Sequence, residues 1–197
     1  MQASPRTPSL KGQVLTCLLF VTAAVVITTS FHASRGFAEW QTGQPVQMQL
    51  MVAAAFAAVS AIGVATTLSI PALAKLIQVP SAIRVLDLTG ATPWIVGLCA
   101  GIGEELLFRA ALQPLVGLWI GVAIFTAAHA RTAIIGSQSN AKRVAYLMNV
   151  FAAGVALGLV FEHLGLVAAI LIHAIIDIAG LLLFRNLVAR SPVPRAA

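Results

Sequence analysis

Seven residues of this chain have types and spacings that could do chemistry. Glu104, Glu105 and Arg109 stand in the run Gly-Glu-Glu-Leu-Leu-Phe-Arg, Phe125 and His129 are four apart, and so are His173 and Asp177. On a helix, residues four apart share a face. Glu105 therefore meets Arg109 in the favoured ion-pair order, while Glu104 is turned about 100° away from it. This predicts a structural pair, Glu105 with Arg109, and an unpaired carboxylate, Glu104, available as a general base. Phe125 is expected to pack against the His129 ring and fix its rotamer. Asp177 is expected to accept a hydrogen bond from His173 and so choose its tautomer. A buried Glu-Arg pair alone would explain Glu105 and Arg109 but leaves Glu104 without a role.

All seven lie inside long apolar runs. A charge at the centre of a membrane helix costs about 2.5 to 3.5 kcal/mol on insertion scales, so such residues must pair or face the bundle interior and are functional by default. A carboxylate beside an imidazole can activate a water for hydrolysis, and this chemistry needs no cofactor. Glu104, His129, His173 and Asp177 also make a ligand set for a zinc hydrolase, which is the metal-dependent alternative.

The elements that must position these groups are membrane helices. Of 197 residues 59% are hydrophobic and only 9% charged, where a soluble domain carries roughly 25% charged residues, and the mean hydropathy is +0.96. Only helices or closed barrels span hydrocarbon, and long apolar runs select helices. Six runs approach the roughly 20 residues needed to cross: residues 14–31, 50–70, 93–112, 115–135, 144–161 and 166–184. Thr92 before Pro93 reads as a cap and first-turn proline, Gln113-Pro114 as a break, and 136–140 as a polar turn. Glu104 and His173 each stand eleven residues from the ends of their runs at Pro93 and Phe184, so their depths match. His129 and Asp177 lie nearer that side, spreading the set over roughly 8 Å. Glu162, His163, His32 and Glu39 are assigned to solvated loops. Gly154 and Gly158 form a Gly-x-x-x-Gly packing pair.

The expected fold is all-α: a polytopic bundle of about six transmembrane helices forming one membrane domain over 1–197. Its chemical core is at about 93–184 and is preceded by two helices at about 14–70. Ten basic residues (Arg6, Lys11, Lys75, Arg84, Arg131, Lys142, Arg143, Arg185, Arg190 and Arg195) fall on one side, and only Arg35 on the other. By the positive-inside rule both termini are cytoplasmic, in a multi-pass protein of the cell (inner) membrane. The first run is longer than a signal-peptide core and lacks a small-x-small cleavage site, so it is read as an uncleaved anchor. A short interfacial helix is expected within 71–88. The net charge of +6 is scattered at span ends rather than clustered with aromatics, which argues against nucleic acid. Cys17 and Cys99 are read as packing or lipid-facing residues.

In order, Glu-Glu-x-x-x-Arg (Glu104, Glu105, Arg109), Phe-x-x-x-His (Phe125, His129) and His-x-x-x-Asp (His173, Asp177) resemble the three-motif signature of the CPBP family, which includes the CAAX prenyl proteases. The run from Gly154 through Gly158 and Gly165 to His173 is similar to that family's glycine-marked approach to the third motif. The resemblance implies glutamate-type peptide hydrolysis inside the membrane, with the bilayer and a membrane-associated protein or peptide as partners. Glu104 and His129 would activate a water, and His173 with the residue at 177 would stabilise the oxyanion. Position 177 is Asn in many relatives, and a charged Asp177 cannot donate to an oxyanion. A non-hydrolytic membrane factor and a proton-coupled transporter are the competing readings. The absence of repeat symmetry and the single ionisable patch argue against transport.

Overall fold

The computed structural model describes residues 10–31, 40, 43–76, 87–130 and 139–190. Helix α1 is Leu10–Phe31, α2 Val46–Ser69, α3 Pro71–Leu76 and α4 Thr92–Glu104. A π-helical segment, Glu105–Leu112, runs directly into α5 (Gln113–Ala128), and α6 is Asn140–His163 and α7 Leu166–Arg190. The described residues contain one isolated β-bridge, between Gly43 and Gly165. Among them, five helical stretches are long and apolar enough to cross a membrane: α1, α2, Thr92–Ala128, α6 and α7. The outward faces carry large apolar side chains, with Leu15, Leu18 and Leu19 of α1 and Met51, Val59 and Ile62 of α2 all more than half exposed. Such faces suit hydrocarbon, and the chain is a multi-pass helical membrane protein.

Thr92–Ala128 is 37 residues, roughly 55 Å of helix against a hydrocarbon core of about 30 Å. It does not run straight. Gly117, with φ 80° and ψ 167°, breaks the helical backbone, in a region essentially reserved for glycine. Contacts on either side of it mirror one another. Gly121 packs on Gln113, Phe125 on Phe108 at 5.2 Å between centroids, and His129 faces Glu104. Residues 92–116 and 118–128 are thus the two arms of a helical hairpin. The expected boundary at Gln113-Pro114 is corrected to Gly117. Pro114 sits in the first turn of α5, where its missing N–H costs nothing, and Gln113 is buried, its Nε2 donating to Gly158 O at 3.2 Å and Glu162 Oε1 at 2.9 Å.

Helix directions follow from paired contacts. Cys17 lies on Gly103 and Phe20 on Phe108, so α1 runs parallel to α4. Gly97 lies on Ile178 and Gly101 on Ala174, so α7 runs antiparallel to α4. Gln49 Oε1 accepts from Ala168 N–H and Arg190 donates to Leu68 O, which sets α2 alongside α7. Leu10, Thr92, Asn140 and Arg190 therefore lie at one end of the bundle, called here the near end. With them are all the described Lys and Arg side chains except Arg109: Lys11, Lys75, Lys142, Arg143, Arg185 and Arg190. The far end is tied by Gln44 N–H to Leu164 O at 2.8 Å and by the Gln49 side chain, which also donates to Gln44 O.

Smaller expectations shift. Ala91, not Thr92, caps α4, with Pro93 in the first turn, and Ser139 caps α6 by accepting from Lys142 N–H. Within the 71–88 segment, where a short interfacial helix is expected, a short helix stands at α3, and 77–86 lie outside the described residues. Glu162 and His163 end α6 rather than occupying a loop, since Glu162 is the acceptor that holds Gln113. Arg6, His32, Arg35, Glu39, Arg84, Arg131, Arg195 and most of the 136–140 turn lie outside the described residues.

Candidate active site

Close backbone approach assembles the site. A Cβ on Gly101 would lie 2.7 Å from Ile170 O and 2.9 Å from Ala174 N, and one on Gly97 2.6 Å from the Ile178 side chain. The glycines at 97 and 101 therefore let α4 and α7 touch backbone to backbone, the small-x-x-x-small device of membrane helices. Glu105 follows Gly101 by one turn, and its side chain tilts back toward the helix N-terminus. It meets His173, Oε1 accepting from Nδ1–H at 2.7 Å. Between α5 and α6, Gly154 leaves room for the Phe125 ring, 3.2 Å from where its Cβ would stand.

The backbone at Glu105 changes character. Gln113 N–H bonds to Phe108 O, five residues back rather than four, which is π-helical spacing. π segments are rare and occur frequently at functional sites. This one begins at the residue after Glu104, so the two glutamates stand on either side of the change.

Burial separates the residues. Glu105 and Arg109 are fully buried, with Arg109 Nε 3.3 Å from Glu105 Oε2, and the guanidinium lies 4.8 Å over the Phe125 ring centroid, a cation–π contact. Arg109 Nη1 and Nη2 have no hydrogen-bond partner among the described residues, so the ring face and Glu105 carry its charge. Glu104 is 18% exposed, His129 24% and Asp177 35%. Glu104 Oε2 faces Nε2 of both imidazoles, His129 at 3.6 Å and His173 at 3.9 Å.

The ring tautomers can be read from their partners. A carbonyl only accepts, so the 2.9 Å contact of His129 Nδ1 with Phe125 O puts a proton on Nδ1. Phe125 also packs on that ring at 4.6 Å, so it holds His129 by its ring and by its carbonyl. The carboxylate backing His173 is Glu105, not Asp177 as expected. Asp177 Oδ2 is 3.9 Å from Nε2, beyond hydrogen-bond reach, and Nδ1 is already taken. Pairing within one helix was the reading that spacing allowed, but the partner came from the neighbouring helix. Gly97, Gly101 and the π segment were also missed. The Gly-x-x-x-Gly spacing at 97 and 101 could have flagged the first two, while the π segment leaves no periodic signal. Among the described residues no three His, Cys, Asp or Glu side chains are arranged to hold a metal ion.

The site thus brings Glu104, His129, His173 and Asp177 to one partly open cluster and seals Glu105 and Arg109 behind it. Residues 89–179, which hold every one of these groups, match the family model described as type II CAAX prenyl endopeptidase Rce1-like. No curated protein and no solved structure matches the chain. Over residues 89–179, somewhat less than half of its length, the chain is similar to the CAAX prenyl endopeptidases, the same stretch in which the three motifs resemble the CPBP signature.

Proposed function

We propose that the protein is a glutamate-type intramembrane endopeptidase that hydrolyses a peptide bond in a membrane-associated protein or peptide. The observation that carries this reading is the placement of Glu104 Oε2 opposite Nε2 of His129 at 3.6 Å. With Nδ1–H committed to Phe125 O, the neutral ring offers a lone pair at Nε2. Two acceptors facing each other suit a water that donates one proton to each and turns its oxygen lone pair outward. Glu104 takes one proton as the oxygen attacks the carbonyl carbon, and returns it to the departing amine. His173, backed by Glu105, is positioned for the developing oxyanion, and in its doubly protonated form it donates Nε2–H. Asp177 borders that nitrogen and contacts the substrate side. The near end is assigned to the cytoplasm and the protein to the inner cell membrane, from the basic side chains gathered there. The family description makes a peptide tail with a lipidated cysteine the first substrate to try.

The test uses protein in lipid nanodiscs with a farnesylated CaaX peptide, together with a comparison of membrane proteomes from wild-type and Glu104→Gln cells. Glu104→Gln and His129→Ala are expected to lower the rate by about 10² to 10⁴ while eluting and melting as the wild type does, and uncleaved species accumulate in the variant cells. Activity is expected to withstand a strong chelator. Full cleavage by Glu104→Gln sinks the mechanism, and loss of activity on chelation, restored by zinc, replaces it with a metal-dependent one.

A further inference from the structure

The chain has two cysteines, and the fold sets both at one seam. Cys17 on α1 and Cys99 on α4 are partly exposed and line a single small cleft with Gln13, Thr16, Phe20 and Glu104. The two side chains border that one cleft from facing helices. Helix packing explains why. Gly103 stands one turn beyond Cys99 on the same face of α4, and a Cβ there would be 3.1 Å from Cys17 Cα and 3.5 Å from its Sγ. The backbones of α1 and α4 therefore make their close approach within one turn of both sulfurs. A disulfide requires Cα atoms about 4.4 to 6.8 Å apart with facing Cβ vectors, and two parallel helices in contact at this point are within range of it. The expectation that the cysteines only pack or face lipid leaves this pairing, and its position beside Glu104, without explanation.

We propose that Cys17 and Cys99 form an oxidation-sensitive dithiol that closes to an intramolecular disulfide across the α1–α4 seam and shuts down the Glu104 site. The oxidant is hydrogen peroxide, a small neutral molecule. One thiol attacks a peroxide oxygen, giving a sulfenic acid and one water, and the second thiol attacks that sulfur, forming the S–S bond and releasing the second water. Two thiol hydrogens and two electrons pass to peroxide, and a dithiol reductant reverses the bond by exchange. The bridge fills the cleft that Glu104 lines and draws α1 onto α4 about one turn from that carboxylate. Its effect on cleavage rests on the protease reading, but the formation of the bond does not.

The full chain in nanodiscs is treated with peroxide, remaining thiols are blocked with N-ethylmaleimide, and peptides are analysed by mass spectrometry beside the cleavage assay. A linked Cys17–Cys99 peptide lacking two hydrogens is expected, with activity down by about a hundredfold, as for a roughly 1 Å displacement, and recovered on reduction. Cys17→Ser, Cys99→Ser and Cys17→Ala are expected to cleave like the reduced wild type and to ignore peroxide. Full alkylation of both thiols after oxidation, or a bond only between two chains, overturns the assignment. An intramolecular bond with undiminished cleavage overturns its control of the site. If the reduced protein cleaves nothing while the bond still forms, the protease reading fails and the dithiol stands.

Discussion

Glu105 is the residue on which the rest of the cluster turns. It is fully buried, faces the Arg109 guanidinium with one oxygen and accepts from His173 with the other. Removing one partner of a buried pair leaves an uncompensated charge, costing about 3 to 5 kcal/mol. Glu105→Ala is therefore expected to lower the thermal unfolding midpoint in detergent micelles strongly, whereas Glu104→Gln leaves it unchanged. Equal midpoints for the two variants would show that the division of labour is wrong. At the other end of the set, Asp177 Oδ2 stands near His173 Nε2 without bonding to it. Asp177→Asn keeps an oxygen there and adds a donor, so it is expected to retain kcat/KM within about tenfold, while Asp177→Leu loses about 10² to 10³. At this scale the residue types and the within-helix pairs Glu105 with Arg109 and Phe125 with His129 were legible, because four-residue spacing fixes them. The Glu105–His173 bond was not, since it depends on how two helices cross.

Among elements, the hairpin of 92–116 and 118–128 decides whether Glu104 and His129 face each other at all. Its turn rests on Gly117, at φ 80° and ψ 167°. A side chain there is strained by about 1 to 3 kcal/mol. Gly117→Ala is expected to reduce stability by that amount, measured by denaturation in mixed micelles, and to lower cleavage with it. An unchanged protein would mean the chain turns elsewhere. Six apolar runs and their rough ends could be read from composition, but the turn was misplaced because Gln113-Pro114 looks like a break. In the structure a proline in the first turn of α5 is compatible with continuing helix, and Gln113 is spent on Gly158 and Glu162. Similarly, the Gly-x-x-x-Gly pair at 154 and 158 was visible and packs against α5, but the equivalent pair at 97 and 101, nearer the chemistry, went unread.

For the whole molecule, the contacts of α1 and α7 with α4 place the start of α1 and the end of α7 together at the near end, with six basic side chains: Lys11, Lys75, Lys142, Arg143, Arg185 and Arg190. A reporter fused after residue 197 that fluoresces only in the cytoplasm is expected to be bright, and one that works only outside it to be silent. The reverse pattern would overturn the assignment of sides. Bundle class and the grouping of helix ends were legible because hydrocarbon constrains composition and length so strongly. The π segment at Glu105–Leu112 was not, and it bears on chain length as well as chemistry. A π turn holds about one more residue than the α turn it replaces, so it lengthens the chain locally without lengthening the helix. Deleting one of the apolar residues between 106 and 112, with Arg109 kept, is expected to restore α spacing and swing everything downstream by about 100°. Glu104 would keep its place while Gly117 and the His129 arm turned away from it. The facing of base and imidazole thus depends on one residue of chain length, and a single-residue deletion that removes no charged side chain is enough to abolish it.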